Sequence, residues 1–346
     1  MHDLKIKIRV KVATDNHNFW LRQLPKQSPF WGRCEFIFDS QCNNYDWFVV
    51  YNDLPGTYLQ ENLCCDLAHT LLITTEPFSI KCYGRSFTSQ FSHVLTSQPE
   101  WALPHPGRIF SQPALQWFYG RGLKSNHNYD DMVNFPPFEK SKCISTVCSS
   151  KKQRHTLHNK RYHFVQQLKK LLPDLDVFGH GVRPIDDKAE ALDPYKYHIA
   201  IENYIGEHHW TEKLSDSFLG CCLPFYCGCP NAADYFPPES FIALNIRDPQ
   251  KAAQSIREAI ANGEYERRLP AILEARRLIL EKYNFFSVLS SIIENYHDPS
   301  LTISSRHEIL SRRLLRRQNP LVAAKDFLEK SKIRIISVIS AKNSIS

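Results

Sequence analysis

The hydrophobic residues of the first 80 positions form short runs that are typical of β-strands. Residues 4–13 (LKIKIRVKVA) alternate apolar and charged side chains, as a half-buried strand does. Residues 45–55 (YDWFVVYNDLP) indicate a buried strand closed by a turn, and residues 64–77 (CCDLAHTLLITTEP) a short helix that leads into a strand. Strands separated by helices or loops predict an α/β layer.

A second set of elements follows residues 96–140, which are rich in Pro, Gly and aromatic side chains and indicate irregular loops. The strands predicted in this second set lie in residues 142–149, 176–182, 197–203, 222–228 and 240–245. The helices predicted between them cover residues 156–171, 211–220 and 249–263, and helical patterns continue to about residue 295. Asp248 is the expected N-cap of the third helix, with Pro249 in its first turn.

This order of elements predicts an α/β protein with two halves and a cleft between them. In open α/β sheets the ligand lies at the carboxyl ends of the strands. Glu202 and Asn203 follow the apolar residues 197–201, so both are expected at such an end.

The composition is that of a folded protein, since 42% of the 346 residues are hydrophobic and 12% are aromatic. No apolar run approaches the roughly 20 residues that cross a bilayer. The N-terminus has alternating charges in place of an apolar signal core. The 11 cysteines are therefore expected to be reduced thiols of a cytoplasmic protein.

The net charge of +7 comes entirely from residues 301–346, which hold ten Lys and Arg against three Asp and Glu. The neutral body argues against nucleic acid as the main partner. Residues 306–317 (RHEILSRRLLRR) predict a basic amphipathic helix. Such a tail fits peripheral contact with an anionic membrane, contact with RNA, or a helix that is only solvated.

Thr211, Glu212 and Lys213 open the predicted helix of residues 211–220. Thr211 suits the N-cap, and a carboxylate in the first turn is favoured by the helix dipole. A cation is mildly unfavourable there, so Lys213 is unexplained unless an anion binds at this helix end. A pyrophosphate is such an anion, and Glu212 could accept hydrogen bonds from ribose hydroxyls. The alternative is an ordinary helix start without a ligand.

Several short motifs occur in a fixed order after residue 200. They are Glu202-Asn203, Thr211-Glu212-Lys213, Gly228 with Pro230, Asp234-Tyr235-Phe236-Pro237, and Ser240-Phe241-Ile242. In this order and spacing the segment resembles the nucleotide-binding domain of the α-1,3/1,4-fucosyltransferases, glycosyltransferase family 10.

The resemblance implies a fold of the GT-B type, in which two Rossmann-like α/β lobes face a cleft and C-terminal helices follow. Residues 1–140 would then be the N-terminal lobe that binds the acceptor, and residues 141–285 the C-terminal lobe that binds GDP-fucose. Residues 286–346 would be C-terminal helices and the basic tail. The acceptor implied is an oligosaccharide or glycoconjugate, and the reaction is an inverting transfer of fucose.

The resemblance also implies roles for single residues. The donor-binding set is Arg161, Glu202, Asn203, His209, Thr211, Glu212 and Lys213. Arg161 matches the arginine that pairs with the pyrophosphate, by its spacing to Phe164 and Leu168. Arg154 and Lys160 compete with it for this role.

Glu76, at the end of the strand predicted in residues 64–77, matches the catalytic base of the family. It would take the proton of the acceptor hydroxyl as that oxygen attacks the anomeric carbon. Arg161 and Lys213 would stabilise the departing pyrophosphate, so this scheme requires neither a metal nor a further cofactor. An ordinary turn residue is the alternative interpretation of Glu76.

The sequence departs from the family in the spacer after Glu202-Asn203. Tyr204 stands where a small hydroxyl residue is common, and His208 and His209 stand where an aromatic side chain is common. His209 could still stack on the donor or donate a hydrogen bond to it. The nearest alternative is therefore the same fold acting on another nucleotide-sugar. A glycan- or RNA-binding module without catalysis is the alternative from another class.

Three further patterns allow two interpretations each. The group Cys221, Cys222, Cys227 and Cys229 lacks paired zinc spacing and lies in an apolar strand pattern. Asp174-Leu175-Asp176 matches a metal-binding Asp-x-Asp, but it lies in a predicted turn, where Asp is common. The aromatic residues of 96–120 suit either sugar stacking or core packing.

Overall fold

The structure is a computed structural model that describes residues 5–12, 18–55, 60–148, 157–303 and 306–343. Within these ranges fourteen strands form three sheets. In chain order the strands are β1 (Ile6–Lys11), β2 (Phe30–Trp31), β3 (Cys34–Ile37), β4 (Trp47–Tyr51), β5 (Gln60–Asn62), β6 (Thr70–Thr74), β7 (His93–Thr96), β8 (Arg108–Phe110), β9 (Lys142–Val147), β10 (Asp176–Phe178), β11 (Tyr195–Ile201), β12 (Leu223–Cys227), β13 (Ile242–Ala243) and β14 (Glu308–Leu310).

The described residues also form ten α-helices. In chain order they are α1 (Asn18–Leu21), α2 (Arg85–Thr88), α3 (Tyr129–Asn134), α4 (His158–Leu171), α5 (Glu212–Leu219), α6 (Pro249–Ala261), α7 (Glu264–Glu281), α8 (Phe285–Tyr296), α9 (Arg312–Gln318) and α10 (Pro320–Asn343). A short 3₁₀ helix covers Leu67–His69 and another covers Lys188–Ala191. None of the helices described here combines the length and the apolar character that crossing a bilayer requires.

The chain divides into two units. The first contains residues 1–24, 28–114 and 286–346, and the second contains residues 25–27 and 115–285. The sequence predicts a boundary at residue 140, whereas the structure has it near residue 114. The difference arises because the loop after residue 114 packs into the second unit, whose core includes Trp117, Tyr119 and Met132.

The first unit is built on a seven-stranded sheet with the order β2-β3-β1-β4-β6-β7-β8. Neighbouring strands are parallel except for β2, which pairs with β3 in the antiparallel direction. The residues of β6 are all buried, as expected for a parallel strand that is covered on both faces. The strands predicted in residues 4–13, 45–55 and 64–77 are confirmed as β1, β4 and β6.

The second unit is built on a five-stranded parallel sheet with the order β10-β9-β11-β12-β13. Alternate residues of β11 enter two hydrophobic cores on opposite faces of the sheet. Tyr197, Ile199 and Ile201 pack into one core, and Ala200 packs into the other. Both units are thus Rossmann-like α/β layers, so the predicted α/β class with two such layers is confirmed.

The start signals predicted for two helices are confirmed. Thr211 is the N-cap of α5, and its side chain accepts a hydrogen bond from the Lys213 N–H. Asp248 is the N-cap of α6, with Pro249 as the first helical residue. Both caps satisfy backbone N–H groups that have no partner inside the helix.

The sequence predicts that the basic segment of residues 306–317 is one helix, and this prediction is wrong. The first part of this segment forms β14, which pairs antiparallel with β5, and α9 begins only after the N-cap Ser311. Ile309 is buried in the core of the first unit, together with Phe87 and Leu63. This burial explains the difference, because a strand places Ile309 in the core while its backbone pairs with β5. Residues 286–346 are therefore part of the first unit and not a separate C-terminal part.

Candidate active site

The motif residues of the second unit gather at the carboxyl end of its parallel sheet. Glu202 and Asn203 directly follow β11, and Thr211 and Glu212 open α5. The Glu202 N–H donates to the Cys227 carbonyl over 2.8 Å, which continues the pairing of β11 with β12 to this point. The predicted location of these residues at a strand end is thus confirmed.

Glu202 is completely buried and holds the start of α5 in place. Its Oε1 accepts the Thr211 N–H over 2.8 Å, and its Oε2 accepts the Thr211 hydroxyl over 2.6 Å. Burial raises the pKa of the Glu202 carboxyl above its usual value, although the Lys213 ammonium acts to lower it. Gly228 packs against the Cγ of Glu202 so closely that a larger residue would overlap it. Glu202 therefore anchors the loop from inside the protein.

Lys213 lies among three oxygen atoms. Its Nζ is 3.0 Å from Glu212 Oε1, 3.1 Å from Thr211 Oγ1 and 3.3 Å from Glu202 Oε2. Burial lowers the pKa of the Lys213 ammonium, but the carboxylates of Glu212 and Glu202 raise it more, so its pKa lies above the usual value. The side chain is 20% exposed, so a charged ammonium remains accessible to a ligand.

Lys188, which the sequence does not single out, extends this charge network. Its Nζ lies 2.8 Å from Asp216 Oδ2 and 3.7 Å from Glu212 Oε1. Burial raises the pKa of Glu212, but the ammonium groups of Lys213 and Lys188 lower it more, so its pKa lies well below the usual value. Glu212 is therefore ionised and able to accept hydrogen bonds from a ligand.

Arg161, in the first turn of α4, is 6% exposed and donates from one guanidinium NH2 group to the Ile201 carbonyl over 3.2 Å. Among the described residues, its Nε has no hydrogen-bond partner, and neither does Asn203 Oδ1. Lys160 is exposed, which favours Arg161 as the buried cation at this position. Arg154 lies outside the described residues.

A cavity of about 250 Å³ lies next to these side chains in the second unit. Four residues of the predicted donor set line it, namely Arg161, Asn203, Glu212 and Lys213. The other lining residues are Val147, Lys188, Leu192, His198, Ile199, Ala200, Ile201, Asp216 and Ser217. Glu202, Thr211 and His209 are not among the lining residues, so the structure divides the predicted set into cavity residues and supporting residues.

His198 is a buried, neutral hydrogen-bonding group in the wall of the cavity. The Ser145 hydroxyl donates to the Ala191 carbonyl over 2.5 Å, so it must accept the 2.8 Å hydrogen bond that it shares with His198 Nδ1. His198 Nδ1 therefore carries the proton. Burial lowers the pKa of His198 to about 3, so the ring stays neutral near pH 7.

His209 is 3% exposed, and its ring lies edge-on to that of Tyr204 with 5.2 Å between centroids. Burial and the nearby Lys213 ammonium lower the pKa of His209 to about 4. The ring is thus neutral, and its contact with a donor stays a prediction.

Glu76 belongs to the first unit and follows β6, in the turn that Pro77 continues. The Tyr83 hydroxyl accepts the N–H groups of Thr75 and Glu76, over 3.1 and 3.4 Å. On the other side, Gln98 Nε2 donates to the Glu76 carbonyl over 2.7 Å. The backbone at Glu76 is therefore fixed by buried side chains, while its own side chain is half-buried.

Two patterns of the sequence could supply metal ligands, namely Asp174-Leu175-Asp176 and the four cysteines of residues 221–229. Asp176 Oδ2 accepts the Tyr195 hydroxyl over 2.6 Å, and Asp174 is exposed. All 11 cysteines are free thiols, including the buried Cys221 and Cys222. Over the described residues, no group of three or more His, Cys, Asp or Glu side chains has an arrangement that could hold a metal ion.

Comparison with known proteins relates the second unit to one family. Residues 137–267 match the family model described as glycosyltransferase family 10 (fucosyltransferase), C-terminal domain. The chain is 29% identical over 138 residues to the alpha-(1,3)-fucosyltransferase of Helicobacter pylori, which covers 36% of this chain and 28% of that protein. It is 31% identical over 109 residues to a fucosyltransferase-like protein of Arabidopsis thaliana, covering 30% and 21% of the two chains. The matches thus span less than a third of these relatives.

Solved structures show a weaker similarity that extends over most of the chain. The structure of an alpha1,3-fucosyltransferase with GDP-fucose covers 87% of this chain and 93% of its own, at 16% identity and a TM-score of 0.45. The structure of an alpha1,3-fucosyltransferase with GDP gives a TM-score of 0.48 at the same identity.

Proposed function

Because residues 137–267 match the family model of the glycosyltransferase family 10 C-terminal domain, we propose that the protein transfers L-fucose from GDP-β-L-fucose to a hydroxyl of a saccharide. The observation that supports this proposal most directly is the set of cations around one cavity of the second unit. Arg161, Lys188 and Lys213 all line this cavity, beside the ionised Glu212. Such a site suits a ligand that carries both negative charge and hydroxyl groups.

Each cavity residue has a proposed contact with the donor. Arg161 can bind pyrophosphate oxygens through its planar guanidinium group. The Nε–H of this group has no hydrogen-bond partner among the described residues. Lys213 adds a point charge next to the first turn of α5, where free N–H groups also favour an anion. Glu212 and Asn203 would accept hydrogen bonds from hydroxyls of the nucleotide-sugar. Glu202 and Thr211 would support this arrangement from behind.

We propose a single inverting displacement as the reaction. The acceptor oxygen forms a bond to the anomeric carbon of fucose while its proton passes to the Glu76 carboxylate. The bond between that carbon and the phosphate oxygen breaks, and its electron pair leaves with GDP. Arg161 and Lys213 stabilise the charge that develops on the pyrophosphate. The β-linked donor would thus give an α-L-fucoside.

Calorimetric titration of GDP-fucose, GDP-mannose and UDP-galactose into the wild type and Arg161→Ala tests the donor site. We expect the wild type to bind GDP-fucose selectively, and Arg161→Ala to bind it at least about tenfold more weakly, because a hydrogen bond to a charged group is lost. Lys160→Ala is the matched control, since Lys160 is adjacent and exposed. A wild type that prefers GDP-mannose or UDP-galactose would support the alternative donor, and no binding of any of the three would contradict the transferase.

The role of Glu76 has its own test. We expect Glu76→Gln to lower the rate of transfer at least about a hundredfold, because the amide cannot accept the proton. The affinity for GDP-fucose should stay at the wild-type value, since the donor-binding residues are in the second unit. Transfer at the wild-type rate in Glu76→Gln would assign the base to another residue.

The tail supports a separate proposal of peripheral contact with an anionic membrane. On α10, Leu321, Phe327, Leu328 and Ile335 are between 61% and 71% exposed. Basic residues alternate with them along the same helix, so apolar burial and attraction to anionic lipid could act together. Sedimentation with phosphatidylserine vesicles should decrease in Leu321→Glu/Leu328→Glu and at high salt. Equal sedimentation of the wild type and the variant would contradict this proposal.

A further inference from the structure

Two aromatic side chains lie beside the turn that carries Glu76. Phe78 follows Glu76 by two residues, and Trp101 lies in the loop after β7. Their rings meet edge to face, with 4.6 Å between centroids and an angle of 63° between planes. Trp101 is 42% exposed, although it is one of the largest apolar side chains of the first unit. We call Phe78 and Trp101 the aromatic pair.

A further exposed apolar residue belongs to the turn that carries Phe78. Ile80 is 44% exposed and belongs to the same turn as Phe78, since the Ile80 N–H donates to the Pro77 carbonyl over 2.9 Å. Single exposed apolar residues are common, but a group of them next to a carboxylate is typical of ligand sites, where apolar walls surround a few polar groups. The group also lies at the carboxyl ends of β6 and β7, which are parallel neighbours. This is the edge at which α/β sheets bind ligands.

The loops that carry Glu76 and Trp101 are joined by a buried amide. Gln98, which is 1% exposed and three residues before Trp101, donates from Nε2 to the carbonyls of Glu76 and Lys81, over 2.7 and 3.1 Å. The backbone carbonyl of Gln98 accepts a hydrogen bond from the Arg108 guanidinium over 2.6 Å. Because one side chain connects both loops, the aromatic pair keeps a fixed position relative to the Glu76 backbone.

The chemistry of this surface selects one class of ligand. A pyranose ring has faces formed by C–H groups and a rim of hydroxyls. The C–H groups carry partial positive charge and pack well against the negative face of an aromatic ring. The hydroxyls at the rim can then reach a carboxylate that lies next to the ring. A phosphorylated ligand would instead require a cation that faces it, and the ammonium of Lys81, the cation of this turn, already donates to the backbone and side-chain oxygens of Asn52.

We propose that the aromatic pair and Glu76 form the acceptor subsite, where a pyranose ring stacks on Trp101 and presents one hydroxyl to Glu76. This inference rests on the proposed function, because it assumes that Glu76 is the base. Trp101 is then a residue that determines acceptor affinity and does not take part in bond breaking. It follows that a change at Trp101 alters the KM for the saccharide more than it alters kcat or donor binding.

Kinetics of fucose transfer to N-acetyllactosamine, lacto-N-biose and chitobiose, at saturating GDP-fucose, test the subsite. We expect Trp101→Ala to raise the acceptor KM about tenfold, because a stacking contact is lost, while kcat changes by less than about threefold. Trp101→Phe keeps a ring and should recover most of the affinity. Phe135→Ala is the matched control, since Phe135 is an exposed aromatic residue of the second unit, directly after α3. Thermal unfolding confirms that each variant is folded.

Direct binding separates failure of the subsite from failure of the proposed function. Saturation-transfer NMR with the same three saccharides needs no turnover, and titration of GDP-fucose reports the donor site independently. A saccharide signal that disappears in Trp101→Ala and persists in Phe135→Ala supports the subsite. An equal signal in wild type and Trp101→Ala, or no signal in the wild type, overturns the subsite even if GDP-fucose binds. Loss of GDP-fucose binding by the wild type would instead overturn the transferase.

Discussion

At the scale of single residues, the proposed donor site is organised around one lysine that contacts two different carboxylates. Glu212 lines the cavity and can meet a ligand, whereas Glu202 is completely buried and bonded to Thr211 through both oxygens. Lys213 lies within 3.3 Å of both carboxylates. It therefore has a structural role that is separate from any contact with the donor, and the two roles can be tested apart.

We expect Lys213→Met to lower the free energy of unfolding by about 3 kcal/mol, because the buried Glu202 loses its counter-ion. The same change should weaken GDP-fucose binding about tenfold, since a hydrogen bond to a charged phosphate is lost. Combining it with Glu202→Gln should restore most of the stability but not the donor affinity. Urea denaturation and calorimetry measure the two effects, with the exposed Lys160→Met as control. A double variant that regains donor affinity would show that Lys213 acts only through Glu202.

At the scale of elements, the C-terminal segment is a structural part of the first unit. Beyond the pairing of β14 with β5, Leu310 exchanges two hydrogen bonds with the Gln90 side chain, over 2.8 and 3.0 Å. Arg312 donates to the carbonyls of Cys82 and Tyr83, over 2.5 and 3.1 Å. Since the Tyr83 hydroxyl bonds the Glu76 backbone, the tail is connected to the candidate base through one intervening residue.

We expect Arg312→Met to lower the free energy of unfolding by about 2 kcal/mol, because two partly buried carbonyls lose a charged donor. We also expect transfer to slow severalfold at unchanged GDP-fucose affinity, since the turn at Glu76 loses one of its supports. Arg313→Met is the control, because Arg313 is adjacent and exposed. Steady-state kinetics and urea denaturation measure both effects. If Arg312→Met behaves like Arg313→Met, the C-terminal segment does not position Glu76.

At the scale of the whole molecule, both units contain histidines whose pKa values are lowered by burial. In the first unit, burial lowers the pKa of His69, whose Nε2 accepts the Asp298 N–H over 3.2 Å, and burial also lowers the pKa of His93. In the second unit, burial lowers the pKa of His198 to about 3 and that of His209 to about 4. Each of these groups binds a proton more readily in the unfolded chain than in the folded one.

Stability should therefore decrease as the pH falls. The unfolded histidines take up protons below about pH 6.5, whereas in the folded protein His209 resists protonation until about pH 4 and His198 until about pH 3. The loss of stability therefore begins below about pH 6.5 and continues to these values. The buried carboxyls of Glu202 and Asp216, whose pKa values burial raises, act in the opposite sense and reduce the slope. Urea denaturation at pH 7.5, 6 and 5 measures the trend, and His209→Gln should give a shallower one. Equal stability at pH 7.5 and pH 5 would contradict this account.

Local chemistry in the sequence determined much of the second unit. The strand of residues 197–203 and the helix that starts at Thr211 follow from periodicity and from a cap, which act between neighbours in the chain. The motif order from Glu202 to Ile242 was enough to indicate the family whose model covers residues 137–267. Cap preferences and side-chain alternation are properties of short segments, so one sequence is sufficient to predict them.

Only the tertiary structure decided which distant residues share a site. Lys188 and Asp216 are 28 positions apart, and nothing in their spacing links them, yet they form the ion pair beside the cavity. Arg312 and Tyr83 are 229 positions apart, and their contact depends on β14 pairing with β5 in place of the predicted helix. Trp101 and Phe78 meet because β6 and β7 are neighbours in the sheet. These contacts arise from strand order and core packing, which the pattern of a single sequence does not specify.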